Sequence, residues 1–283
     1  MIQEELIKLK SEEIGHIAFW KISDPKNQSE QHIFLTHGTF SDKQVCKGIA
    51  EYFVEKRYTC WIMEWRNHGA SSFTKTPFNF ETVALKDFSI AFKYLFEKEK
   101  ISQLNCITHS GGGICLSMFL VNFQQYIPKI KRITIFGCQT SGAGVGFFKY
   151  YKLLLAKYGT AIIGFIPAAI LGMPHNETYQ TMKLWFDWNL QQKFFGENIP
   201  DYESLLPEIT TPILAVYAKG DTFIAPPEGC QRFINAFKNP KNKHLFCSKE
   251  DGFLENYNHS RILRSQNAKQ EIFPKVLKWM EGN

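Results

Sequence analysis

From residue 31 onward the chain alternates short runs of β-branched and aromatic residues with longer amphipathic runs, and this alternation constrains the fold more than any other feature. Parallel strands cannot be joined by a tight turn and need a crossover of a dozen or more residues, usually a helix. The runs HIFLT (32–36), TCWIME (59–64), 103–108, 131–136, ILAVYA after Pro212 and KHLFC (243–247) read as strands. Helices are expected over 45–56, over 80–99 with Leu85, Phe88, Phe92 and Leu95 on one face, over Gly112 to Phe123, over 227–237 and over 266–281. The pattern predicts an α/β fold, a mostly parallel doubly wound sheet with a helical insertion after its sixth strand.

The alternation stops at 138–205, a stretch rich in glycine and aromatics with no clear strand. Its helical pieces run from Phe147 to Tyr158, Ala161 to Leu171 and Thr178 to Leu190. Residues 1–137 and 206–283 are therefore expected to form the core, and 138–205 a helical cap. No internal repeat or low-complexity segment interrupts this plan.

At 283 residues, 44% hydrophobic and with 25 Phe, the chain can bury a large core, which excludes disorder. The net charge of +6 is scattered, with only short basic pieces at Lys129 to Arg132 and Lys241 to Lys243. No nucleic-acid partner is expected from that distribution. Seven cysteines, an odd number without a C-x-x-C pair, read as buried free thiols in a reducing compartment. The N-terminus has no uninterrupted apolar region of signal-peptide kind, so a cytoplasmic location is expected. The longest apolar stretch, Ala161 to Met173, contains Pro167 and is too short to span a bilayer.

The segment CITHSGGGIC (106–115) sets Ser110 between a histidine and three glycines, directly after a strand. Glycine loses the most conformational entropy on folding, so Gly111, Gly112 and Gly113 suggest a tight turn or a close backbone approach. A plain strand-to-helix connection would account for them. So would a nucleophile elbow, a strained turn that presents the serine hydroxyl above a sheet. Two further polar groups follow later strands: Asp221 after ILAVYA, and His259 after the last strand.

The order serine, acid, histidine is that of the α/β-hydrolases. From about residue 30 to its end the chain resembles that superfamily in HGTF (37–40), WRNHGAS (65–71), THSGG (108–112), KGDTFIAP (219–226) and the loop around NHS (258–260). Its insertion, YGTAIIGFIPAAILGM followed by KLWFDWN, resembles a branch of bacterial hydrolases whose substrates are largely undefined. The resemblance implies Ser110 as nucleophile, His259 as base and Asp221 as its orienter. It implies an oxyanion hole from the backbone N–H groups of Thr39 and Gly111, with no cofactor or metal. His37, His109 and Trp185 are expected beside the substrate, with His37 shaping the loop before Thr39. The strict G-x-S-x-G pattern has glycine two residues before the serine, where this chain has Thr108, read as tolerated.

The other polar residues have plainer readings. His68 and Arg66 sit in a turn that supports the architecture, and His244 is expected to be packed inside a strand. Glu250 and Asp251 are rival acids on the same loop as the base. The insertion's Phe147, Phe148, Tyr150, Tyr151, Tyr158, Phe165, Trp185, Phe186 and Trp188 favour an apolar acyl or aryl ester or thioester over a sugar or a phosphorylated metabolite. The same aromatic surface is a candidate for transient membrane or lipid contact. The expected activity is hydrolysis through an acyl-enzyme. Acyl transfer on the same triad and a catalytically silent binding scaffold are the alternatives.

Overall fold

A computed structural model describes residues 1–26 and 29–282, with the backbone alone at 170 and 171. Among the described residues there are ten strands. Those of the main sheet are β1 (Gln3–Ser11), β2 (Gly15–Ser23), β3 (His32–Thr36), β4 (Thr59–Met63), β5 (Leu104–His109), β6 (Ile130–Phe136), β9 (Ile213–Ala218) and β10 (Lys243–Cys247). They run in the order β1-β2-β4-β3-β5-β6-β9-β10. The pairs from β4 to β10 are parallel, while β1–β2 and β2–β4 are antiparallel. The sheet is thus mostly parallel, with the helical insertion leaving after β6, its sixth strand.

Burial on both faces explains why the strands read as nearly continuous apolar runs. Successive residues alternate between two apolar layers. Ile33, Leu35, Cys60, Ile62, Ile107, Leu214 and Val216 lie in one layer. Phe34, Trp61, Met63, Cys106, Ile213, Ala215 and Tyr217 lie in the other. Helix Gln44–Glu55 packs into the first layer, whereas the helical run over 80–98 and helix Gly111–Asn122 pack into the second. The crossovers after β3 and β5 therefore leave toward opposite faces of adjacent strands. A crevice opens at such a switch point, outside the carboxyl ends of the strands. All seven cysteines are free and buried in these layers, and Cys138, at the start of the insertion, is the one that falls within it.

The insertion carries an outer helix (Phe147–Ile163), a two-strand ribbon of β7 (Phe165–Ile166) and β8 (Glu177–Thr178), and an inner helix (Tyr179–Gln191). Gly164, in the left-handed region at φ 88°, stops the outer helix, so the helical piece expected from Ala161 to Leu171 is broken there. The C-terminal helix expected over 266–281 is also divided, into Gln266–Glu271 and Phe273–Met280, the second opening next to Pro274, and a further short helix, Arg261–Arg264, precedes it. Proline lacks the N–H that would have continued the preceding turn.

Candidate active site

Ser110 follows β5 with φ 53° and ψ −127°, a conformation that costs a non-glycine residue about 1–3 kcal/mol. The neighbouring strand holds it there. The Ser110 N–H donates to the Phe136 carbonyl at 2.8 Å, and the Cys138 thiol donates to the Ser110 carbonyl at 3.0 Å. Helix Gly111–Asn122 starts at the next residue and is buried from Gly111 to Val121. Close approach requires the glycines around Ser110. A Cβ on Gly38 would sit 2.6 Å from the Ser110 Cβ and 2.8 Å from the Gly111 nitrogen. A Cβ on Gly113 would sit 2.9 Å from Thr108 Oγ1. The room that the strict motif leaves at residue 108 is here supplied by Gly113.

A cavity of about 780 Å³ lies over this turn, and Thr39, His109, Ser110, Gly111, Trp185 and His259 are among its lining residues. Phe80, Ile114, Met182, Phe186 and Phe223 make much of the remaining wall apolar. The His259 Nδ1–H donates to Asp221 Oδ2 at 2.5 Å, and the Ala225 N–H donates to Asp221 Oδ1 at 3.0 Å. Burial alone would raise the Asp221 carboxyl. The facing His259 ring and the hydrogen bonds outweigh it, so its pKa lies below the ordinary carboxylate value.

His109 lines the cavity beside His259, with ring centroids 4.7 Å apart, and its Nε2–H donates to the His259 carbonyl at 2.9 Å. Burial, with the His259 ring adding to it, lowers its pKa to about 3, so the ring is neutral at ordinary pH. It braces the segment that carries His259.

His37 departs from the expectation of a place beside the substrate. It is fully buried and does not line the cavity. The Trp65 N–H donates to its Nε2 at 3.2 Å, which leaves the proton on Nδ1 to be donated to the Gly38 carbonyl at 2.7 Å. Burial keeps this ring neutral as well. Its neighbours are protein groups on both sides, and it holds the loop from behind.

The other polar residues sort by their partners. Arg66 makes a buried fork with Asp87. Glu250 is exposed and pairs with Lys219, while Asp251 accepts from Ser248, and neither lines the cavity. His244, expected inside a strand, lies exposed on edge strand β10 with Nδ1 facing the Tyr217 hydroxyl at 3.2 Å. Being last in the sheet, β10 has a single strand neighbour among the described residues.

Sequence reasoning missed Glu177. This β8 carboxylate is buried and accepts from the Phe40 N–H at 2.9 Å and from His68 Nε2 at 2.8 Å. His68 donates its other N–H to the Arg66 carbonyl at 2.8 Å. Burial works against a charged His68 ring, but Glu177 and the Arg66 carbonyl outweigh it and raise its pKa above the ordinary value. Phe40, next to Thr39, sits at φ 61°, so the insertion grips the loop after β3 where its backbone is strained. The sequence signal was a lone acid: Glu177 is the first Asp or Glu after Glu99.

Residues 31–136, from β3 through the serine turn to β6, match a family described as alpha/beta hydrolase fold. No curated protein matches the chain as a sequence relative. Among solved structures the chain is similar to the esterase Pf2001 of Pyrococcus furiosus, with 16% identity, 99% of this chain and 90% of that one covered, and a TM-score of 0.65. It is similar to the esterase EaEST of Exiguobacterium antarcticum at 13% identity, 97% and 98% coverage and a TM-score of 0.66. It is also similar to DcsB, solved in complex with its substrate analogue, at 14% identity, 99% and 100% coverage and a TM-score of 0.69. At such identities the likeness is one of fold. Sheet order, serine turn and family match agree, and the chain has the α/β-hydrolase fold.

Proposed function

We propose that the protein hydrolyses a carboxylic ester or thioester with an apolar acyl or aryl group through an acyl-enzyme on Ser110. The observation that carries this reading is Ser110 on a strained turn under an apolar cavity, with the Asp221-bound His259 in the same wall. Ser110 Oγ attacks the carbonyl carbon while His259 Nε2 takes its proton, and the N–H groups of Thr39 and Gly111 receive the oxyanion. Collapse expels the alcohol or thiol, which leaves with the proton from His259. Water, deprotonated by the same ring, then releases the acid and restores Ser110. Asp221 keeps the His259 proton on Nδ1, so that Nε2 faces the reaction as a base. The solved neighbours include two named esterases, which supports the same reaction class.

A fluorophosphonate probe tests this directly. It should label one site, on the peptide holding Ser110, and Ser110→Ala should abolish labelling with the melting temperature retained. His259→Ala should lower kcat by about 10⁴-fold or more. Unchanged labelling of Ser110→Ala would overturn the assignment.

A further inference from the structure

The outer helix, FFKYYKLLLAKYGTAII, buries only Leu153 and Thr160 of its 17 residues. Phe148, Tyr151, Leu155, Tyr158 and Ile162 follow one another at spacings of three and four, which puts them along one face. Phe148 is 86% exposed, Leu155 73% and Ile162 86%, and Phe147 and Ile163 flank them in the open. Contiguous apolar surface of this kind is uncommon on a protein that works free in water. The charges on the helix are Lys149, Lys152 and Lys157, and from Lys100 to Asn176 the chain has no Asp or Glu at all. Lys157 is paired with Asp187 on the inner helix, while Lys149 and Lys152 make no ion pair among the described residues.

The geometry points to an anionic lipid surface as the occupant of this face. An apolar stripe with aromatic residues and lysines alone is the composition of a helix that lies in a bilayer interface, its lysine stems reaching back to the headgroups. A second copy of the chain fits the charge less well, because two such helices would oppose lysine to lysine with no acid on either. Among the described residues no helix is long and apolar enough to cross a membrane, so the contact is with the surface. The same helix lines the cavity through Lys152, Leu153 and Ala156. A docked protein would hold its cavity about one helix diameter, roughly 10 Å, from the acyl region. On the hydrolase reading above, this makes the substrate an ester dissolved in or drawn from a membrane.

Vesicle flotation of the full chain carrying Ser110→Ala, which cannot consume lipid by the proposed route, tests the docking apart from catalysis. The protein should float with phosphatidylcholine vesicles containing phosphatidylglycerol, float less with phosphatidylcholine alone, and detach as salt is raised. Lys149→Gln should weaken binding about fivefold. Phe148→Glu, Leu155→Glu and Ile162→Glu together should abolish flotation at an unchanged melting temperature. Failure of the unsubstituted face to float, or equal flotation of the triple variant, would overturn the proposal. So would a dimer in light scattering that the three glutamates dissolve while flotation stays absent. If vesicles are ignored while the probe labels Ser110, docking falls and the hydrolase reading stands; binding without labelling gives the reverse.

Discussion

The outer and inner helices of the insertion have similar aromatic content, yet their surroundings are opposite. The inner helix buries eight of its 13 residues, the outer helix two of 17. On the inner helix Trp188 packs between Phe80 and Phe194, Asn189 accepts from the Ala143 N–H, and Asp187 takes both Lys157 and Lys183. The outer helix is held by its buried Leu153 and Thr160 and by Lys157, and turns its rings outward. The lesson is that aromatic richness marks burial only where polar groups with buried partners accompany it. An apolar helix whose charged residues are all lysines has its ordering surface elsewhere.

The largest test of this contrast is a pair of truncations. Trp188→Ala should destabilise the protein by about 3–5 kcal/mol, since it empties a fully buried site. Leu155→Ser on the outer helix should stay within about 0.5 kcal/mol. Chemical denaturation of both variants measures the difference, and similar losses would erase the distinction between the helices.

A middle-sized effect concerns the His68–Glu177 pair, which ties the anchored side to the loop after β3. His68 is surrounded by Glu177, Glu64 and the rings of His37 and His175. Its pKa is raised in the folded state, so the stabilisation it brings is fully present below the unfolded value of about 6.5 and is lost as pH rises through the folded value. Glu177→Gln should cost about 1–3 kcal/mol at pH 6 and progressively less at alkaline pH. Melting curves across that range check it, and hydrogen exchange should show the loosening at β8 and the inner helix. A loss that does not vary with pH would mean that the ring is neutral.

The smallest effect is one of selectivity. If the inner helix walls an acyl site, kcat/KM for p-nitrophenyl esters should rise with chain length by about fourfold per methylene, from about 0.8 kcal/mol each, until the cavity is full. Trp185→Ala should move that maximum to a different length while probe labelling persists. A flat profile in both proteins would reduce the inner helix to packing.

Much of the core was legible because its signals are local. Period-two strands fed two apolar layers, and the glycines after Ser110 marked a turn whose strain the structure displays. The two N-terminal strands, β1 and β2, were not read from the sequence. QEELIKLKS pairs with β2 in β1, but it is an edge strand, exposed or half-buried over most of its length, and its charges mask the alternation. Pro274 was a readable stop inside the expected final helix. Glu177 and His37 were not readable in the same way. Glu177 meets Phe40 across 137 residues, and His37 turns away from the cavity because Trp65 and Gly38 occupy its nitrogens.

The buried cysteines give the molecule a chemical silence that has a use. Burial pushes all seven thiols up, Cys247 to about 12, so alkylating reagents meet neither exposure nor thiolate. No cysteine stands between Gln139 and Gly229, so the thiols are carried by the sheet layers and not by the cap helices. Maleimide uptake by the unaltered protein therefore reports opening of the sheet and its two layers. A lone added thiol, as in Phe148→Cys, would react against a dark background and could carry a dye to watch the outer helix meet a surface.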